Sequence, residues 1–107
     1  MTMNRYHQTA ELLSALEAVL REHNHWQSQS PDAQALASTL PFAVDTLSCP
    51  QWLQWIFIPK FNQLILEQWP LPTGFEISPY IEEAMKSEPG QSELLTITRQ
   101  IEQILGS

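Results

Sequence analysis

Two histidines and a glutamate lie within four consecutive positions, at the predicted end of the first helix. Glu22, His23 and His25 carry the carboxylate and imidazole groups that ligate transition metals. Both histidines reach one ion only if the helix frays, and no second cysteine or histidine pair has ligand spacing. The simpler interpretation is that an imidazole near the helix C-terminus interacts favourably with the helix dipole, while Trp26 packs back onto the bundle. We therefore predict no metal and no cofactor.

Cys49 is the one cysteine, and it lies beside a predicted helix N-terminus, an environment that can lower the pKa of a thiol. A catalytic nucleophile also needs a base, and the chain has no nucleophile elbow, glycine-rich phosphate loop or dinucleotide fingerprint. Glu82 and Glu83 point about 100° apart on a helix, so they do not share a site. We predict that the protein is not an enzyme and that Cys49 is a buried or half-buried thiol.

The charge balance limits the kinds of partner. Twelve acidic residues stand against five basic ones, which gives a formal net charge of −7. A protein that binds nucleic acid clusters its lysines and arginines, whereas the five bases here are scattered along the chain. The charge argues against direct binding of nucleic acid and favours a basic partner protein. It does not indicate an oligomeric state.

Length and hydropathy indicate one domain, residues 1–107, without a membrane segment. The N-terminus lacks the apolar core of a signal peptide, and no run of about 18 apolar residues could span a bilayer. An apolar fraction of 43% is ordinary for a globular protein. We expect a cytoplasmic bacterial protein.

Two amphipathic helices are predicted near the ends of the chain, one from about Asn4 to His23 and one from about Gln91 to Leu105. In the first, Glu17 stands four residues before Arg21, the favourable order for a surface ion pair. Gly106 is the predicted C-cap of the second. In both helices apolar residues recur at three- and four-residue spacings. These residues are Leu12, Leu13, Leu16, Val19 and Leu20, then Leu94, Ile97, Ile101 and Ile104.

The most apolar stretch, Trp52–Leu66, is predicted to be a central helix with apolar side chains on nearly every face, which implies burial on most sides. Ser48 is the predicted N-cap, with Pro50 in the first turn. A strand is the competing interpretation, but the pattern is long and no second β-rich run exists to pair with it. Pro59 removes a hydrogen bond, so we predict a kink there.

Short elements connect the long helices. Ser30-Pro31-Asp32 predicts a helix capped by Ser30 and running to about Ser38, and Ser78-Pro79 predicts another, running to about Lys86. Between Phe42 and Leu47 we favour a loop over a short helical turn. Phe75 and Ile77 are candidates to join the core. The fold class is therefore all-α: three longer and two short helices form a small bundle around the kinked central helix.

These residues resemble the YqcC-like family of small bacterial proteins. The resemblance extends over essentially the whole chain, and its most specific part is the Trp-Leu-Gln-Trp stretch that ends in Ile-Pro and a base. It implies an all-helical domain whose gene often lies next to those of a tRNA pseudouridine synthase and a short flavodoxin. It supplies no catalytic residues, because no function is established for the family. The matching motifs are Arg21–Trp26, Pro41-Phe42, Asp45-Thr46, Trp52–Trp55, Ile58–Lys60, Pro70–Pro72 and Pro79-Tyr80.

The number of aromatic residues is high for the length of the chain, and aromatic residues with a polar atom are enriched at interfaces. We therefore predict a protein-interaction or accessory module, associated by family resemblance with a tRNA pseudouridine synthase or a flavodoxin. The alternative is a small-molecule binding domain with a pocket beside the kinked helix. The candidate interaction surface comprises Asp45, Trp52, Trp55, Lys60, Trp69, Pro70, Leu71, Pro72 and Tyr80.

Overall fold

In a computed structural model, which describes residues 4–72 and 76–105, the chain is helical and the described part contains no strand. This confirms the predicted fold class. No helix of the described residues is long and apolar enough to cross a membrane. The elements are α1 (Arg5–Glu22), α2 (Ala33–Leu36), a 3₁₀ turn (Pro41–Ala43), α3 (Cys49–Trp52), a π-helical turn (Leu53–Phe57), α4 (Ile58–Leu66), α5 (Ser78–Ala84) and α6 (Gln91–Leu105).

Helix α1 begins and ends at residues that satisfy its terminal backbone groups. The Asn4 carboxamide accepts the backbone N–H of His7 at 2.8 Å, as an N-cap does. At the other end Asn24 adopts a left-handed φ of 62°, and the N–H of His25 bonds the carbonyl of Leu20 at 2.7 Å. This is a Schellman motif, which ends the helix with asparagine where glycine is usual. The predicted bounds of α1 are confirmed to within one residue.

Two predictions for the segment after α1 are wrong. The N-cap of α2 is Asp32, whose carboxylate accepts the N–H of Ala35 at 2.8 Å, and not Ser30. The cap thus lies two residues later than predicted, and α2 ends at Leu36, so it is a single turn. The segment after Pro41 contains the 3₁₀ turn in place of the predicted loop. Its Phe42 has a positive φ of 56° and stacks on Tyr80 with ring centroids 4.2 Å apart.

α3, the π-helical turn and α4 form one continuous helix, called the central helix below. Ser48 caps it as predicted: its hydroxyl accepts the N–H of Gln51, and the Gln51 side chain accepts the N–H of Ser48. At Pro59 the sequence predicts a kink, and the structure shows that the π-helical turn ends just before the proline. At the end of that turn the N–H of Ile58 bonds the carbonyl of Leu53, five residues back.

The central helix is buried differently along its length. Leu53, Phe57 and Ile58 are buried in the core, whereas Pro59 and Lys60 are exposed. Beyond Phe61 the helix is one-sided, and Leu66 is 80% exposed at its end. The prediction of burial on most sides therefore holds for the first half of the helix only.

The core lies where α1, α6 and the central helix meet. α1 packs along α6, α5 packs against α6, and α4 packs against α1. α6 has the predicted bounds, and Leu95 and Thr98 join Leu94 and Ile101 on its buried face. Ile77 is buried as expected, whereas Phe75 and Gly106 lie outside the described residues.

Helix α5 is capped by a residue of another helix. The sequence predicts Ser78 as the N-cap, but α5 begins at Ser78 and no side chain at Ile77 caps it. The carboxylate of Glu102, on α6, accepts the backbone N–H groups of Ile77 and Ser78 and the Ser78 hydroxyl. One carboxylate thus satisfies two orphan donors of α5 and joins α5 to α6.

Replacing Glu102 with glutamine should lower the free energy of unfolding by about 1–3 kcal/mol, because a carboxamide has one acceptor oxygen where three donors converge. Urea unfolding followed by circular dichroism measures the change. Glu83→Gln, which alters an exposed carboxylate on α5, is the matched control and should stay within about 0.5 kcal/mol of wild type. Equal stability of Glu102→Gln and wild type would contradict this role for the carboxylate.

Candidate functional site

The π-helical turn presents Gln54 to the interior, where its amide holds the segment after α1. Gln54 is only 4% exposed. Its Oε1 accepts the backbone N–H of Gln27 at 2.8 Å, and its Nε2 donates to the backbone carbonyl of Gln27 at 2.7 Å. The Gln54 amide thus bonds both the N–H and the C=O of Gln27, as an adjacent strand does in a β-sheet. The segment around Gln27 is therefore fastened to the central helix.

The Gln27 side chain extends this network to the indole of Trp55. Its Oε1 accepts from Trp55 Nε1 at 3.1 Å and from Gln51 Nε2 at 3.3 Å. Trp55, a candidate for the interaction surface, is half-buried, and its indole N–H is bonded within the chain.

Trp52 and Tyr80, two further candidates for the interaction surface, pack together in an aromatic cluster. Their ring centroids are 5.9 Å apart, and Phe42 contacts both rings. Both residues are half-buried and pack against the core. The structure thus gives them a packing role and brings them together.

A groove of about 840 Å³ opens beside Pro59, at the place where the sequence predicts a pocket. Its apolar wall is formed by Trp26, Trp55 and Ile58 together with the proline. At the rim the guanidinium of Arg21 lies 4.7 Å from the centroid of the Trp26 ring. The predicted pair with Glu17 is confirmed, because Arg21 Nε donates to Glu17 Oε2 at 2.9 Å. Polar side chains complete the lining: Glu17, Arg21, Asn24, Gln27, Ser28, Gln54 and Asn62.

The end of α4 carries Leu66, the most exposed large apolar residue of the described chain, and we call this region the Trp69 corner: Leu66, Trp69, Pro70, Leu71 and Pro72. Trp69 is 48% exposed, and both prolines are exposed, whereas Leu71 packs partly against the core. Gln68, with φ of 54°, closes α4 in a second Schellman motif. The Tyr6 hydroxyl lies within hydrogen-bond distance of the carbonyl oxygens of Gln68 (3.2 Å) and Trp69 (2.9 Å). The corner is therefore held against α1.

Asp45 and Lys60 do not join these features. Asp45 is exposed and accepts a hydrogen bond from the Ser38 hydroxyl at 2.5 Å. This bond joins the residues after the 3₁₀ turn to those that follow α2. Lys60 is exposed on α4. The nine predicted residues are therefore distributed over the aromatic cluster, the groove, the Trp69 corner and two surface positions.

Cys49 has the environment of a structural thiol. It is buried, and burial raises the pKa of its thiol to about 12, although a hydrogen bond with Tyr80 partly opposes the shift. Burial also raises the pKa of Tyr80, with a further contribution from Cys49. The thiol is protonated at neutral pH, so Cys49 lacks the reactive thiolate that a nucleophile requires.

A cluster of metal-ligating side chains forms where α1 ends against the start of α6. His23 Nε2 lies 3.1 Å from Glu93 Oε1, and Glu22 lies beside them. His25, which the sequence pairs with His23, instead points Nε2 at the carbonyl oxygen of Pro89, 2.9 Å away. Glu93 could not be placed beside His23 from the sequence, because 70 residues separate the two. Its position in the first turn of a predicted helix gave no signal of this contact.

Comparison with known protein families identifies the family of this chain. The family model DUF446, described as tRNA pseudouridine synthase C, matches residues 8–104. The chain belongs to this family. The protein named Uncharacterized protein YqcC, of Escherichia coli strain K12, is 42% identical over 83 residues, which are 78% of this chain and 76% of that protein. An uncharacterized protein of Haemophilus influenzae is 44% identical over 89 residues, 83% of this chain and 84% of that protein.

The solved structures give the same family. The solution NMR structure of YqcC from E. coli superimposes with a TM-score of 0.85 and 34% sequence identity. The superposition covers 98% of this chain and 91% of that chain. The resemblance to the YqcC-like family is thereby confirmed.

A third relative is much longer than this chain. The protein named tRNA pseudouridine synthase C of Pectobacterium carotovorum subsp. carotovorum is 39% identical over 73 residues. These residues are 68% of this chain but only 19% of that protein. The Pectobacterium protein thus contains a YqcC-like segment within a larger chain.

Replacing Gln54 with alanine should lower the free energy of unfolding by about 2–4 kcal/mol, because both backbone groups of Gln27 lose their partner and a cavity remains. Chemical denaturation measures the loss, and near-ultraviolet circular dichroism of the tryptophans should change with it. Gln63→Ala, at an exposed position of the same helix, is the control and should leave both signals near wild type. A Gln54→Ala protein as stable as the control would show that this amide does not hold the segment.

Proposed function

We propose that this protein is a non-enzymatic accessory domain that binds a tRNA pseudouridine synthase of the C type. The observation that carries the proposal is the Pectobacterium relative, in which a YqcC-like segment forms part of a longer chain with that enzyme's name. In one chain, two domains meet at an effective concentration in the millimolar range. A separate chain has to provide affinity through its own surface instead.

The Trp69 corner supports the proposal as the apolar part of such a surface. Trp69 and Leu66 are large apolar residues that the fold leaves exposed, and tryptophan is enriched among the residues that dominate binding energy. The hydrogen bonds from Tyr6 and the two prolines restrict the backbone of the corner. A partner therefore has little conformational freedom to remove when it covers Trp69.

The net charge supports a partner that handles RNA. An enzyme that binds tRNA presents lysines and arginines to phosphates, so its surface is basic. A chain with a formal charge of −7 is attracted to such a surface, and this attraction speeds encounter at low ionic strength. The same charge repels tRNA itself.

The absence of an enzymatic activity of its own is part of the proposal. The buried Cys49 thiol has a pKa of about 12 and is not a nucleophile at neutral pH. The predicted cytoplasmic location and the association with a flavodoxin stay predictions.

Trp69→Ala should weaken binding to purified tRNA pseudouridine synthase C from the same organism by about tenfold or more, since a buried tryptophan anchor contributes more than about 1.4 kcal/mol. Isothermal titration calorimetry at low salt measures the dissociation constant. Raising the salt concentration should weaken wild type and variant alike, because charge attraction acts apart from the indole.

Val44→Ala is the matched control, because Val44 is also an exposed apolar residue but lies outside the Trp69 corner. It should bind as wild type does. The intact Pectobacterium protein is a second control, since its own matched segment should occupy the site and exclude this chain. No binding of wild type to the enzyme at low salt would contradict the proposed function.

The groove beside Pro59 supports a second candidate function, the binding of a small molecule. Two tryptophans form its wall and amide side chains line its rim, which is the composition of many ligand sites. A ligand at about 100 times its dissociation constant would add about 2.7 kcal/mol to stability. A thermal-shift screen of metabolites detects this, and Asn62→Ala should reduce the shift. A screen without any shift counts against this candidate.

A further inference from the structure

We propose that Glu22, His23 and Glu93 form a binding site for a zinc-like divalent ion, which links the end of α1 to the first turn of α6. The proposal does not depend on the proposed function. The three residues supply one imidazole nitrogen and two carboxylate oxygens, which are donors that zinc accepts, and water would complete the coordination.

The donor atoms are close enough to converge on one ion. One ligand atom from each residue lies within 4.8 Å of the other two, and His23 Nε2 is already 3.1 Å from Glu93 Oε1. Ligand atoms of a tetrahedral zinc site with bonds of about 2.0–2.2 Å are about 3.3–3.6 Å apart. Glu22 is exposed, so rotation of its side chain can supply the remaining movement.

An independent feature holds the imidazole in place. Gly90, immediately before α6, has a φ of 86°, and a Cβ added to it would lie 2.7 Å from Cδ2 of His23. The backbone of this turn therefore packs directly against the ring, which only glycine permits. His23 is the most buried member of the cluster, and its orientation is fixed by the fold before any ion binds.

The charge of the cluster favours a cation. Within residues 4–72 and 76–105, neither Glu22 nor Glu93 has a lysine or arginine at ion-pair distance. The neighbouring Arg21 is engaged by Glu17 and lies over Trp26. Two carboxylates close together repel each other, and a divalent ion removes this repulsion.

The donors also select the class of metal. Imidazole nitrogen suits zinc, cobalt and nickel, whereas calcium and magnesium prefer six or more oxygen ligands. His25 is not part of the site, because its Nε2 is hydrogen-bonded to Pro89 and its ring centroid is 6.5 Å from that of His23. The pair of histidines considered from the sequence is thus replaced by one histidine and a glutamate from α6.

Isothermal titration of the full chain with Zn²⁺ and Co²⁺ should give saturable binding of one ion, and Mg²⁺ and Ca²⁺ should give none. His23→Ala and Glu93→Gln should each weaken Zn²⁺ binding by roughly tenfold or more, as expected for the loss of a ligand. Glu93→Gln nearly preserves side-chain volume, so a weaker affinity in this variant is not a folding effect. The amide NMR signals of residues near both helix ends should shift with Zn²⁺.

His7→Ala is the matched control, because His7 lies 3.4 Å from Glu11 in an exposed histidine–glutamate pair to which the described residues add no further ligand group. It should bind Zn²⁺ as wild type does. Gly90→Ala removes no donor but displaces the His23 ring, so it should weaken binding. The proposal is overturned if wild type shows no saturable binding, or if Glu93→Gln binds as tightly as wild type.

Discussion

Pro59 offers no backbone N–H, and its ring would clash with the carbonyl of Trp55 in a regular α-helix. The central helix passes this position through the π-helical turn, in which hydrogen bonds span five residues and one extra residue is accommodated. The extra residue changes which side chains face the core. Gln54 lies in this turn and is buried with its amide on Gln27. The π-helical turn before the proline thus carries the residue that attaches the chain after α1, and the groove lies beside both.

Helix α1 positions the Trp69 corner at its start and the cluster of Glu22, His23 and Glu93 at its end. Near its start the Tyr6 hydroxyl contacts the backbone of the Trp69 corner, and at its end His23 contacts Glu93. Because α1 has 18 residues, the two features are about 27 Å apart along its axis. The proposed partner surface and the proposed ion site therefore lie on separate surfaces of one helix. This separation allows each to be disrupted without direct damage to the other.

The sequence predicted the elements that depend on local rules. The cap of the central helix was predicted because Ser48 bonds to a backbone group three residues away, and the bounds of α1 followed from its apolar periodicity. The capping of α5 was not predictable, since Glu102 is 24 residues from Ser78 and reaches it only through helix packing. The same limit applied to Glu93 beside His23. The hydrogen bond from the Trp55 indole to Gln27 was not predictable either, because no sequence rule places these two side chains together.

The ends of α1 and α4 also bear on the unfolded chain. Asn24 and Gln68 take the left-handed conformation at positions where helices commonly use glycine, and the chain has only three glycines but eight prolines. A polypeptide with few glycines and many prolines samples fewer backbone conformations before it folds. It therefore loses less conformational entropy on reaching its ordered form, which offsets part of the strain at the two helix ends. A small all-helical protein gains stability in this way without enlarging its hydrophobic core.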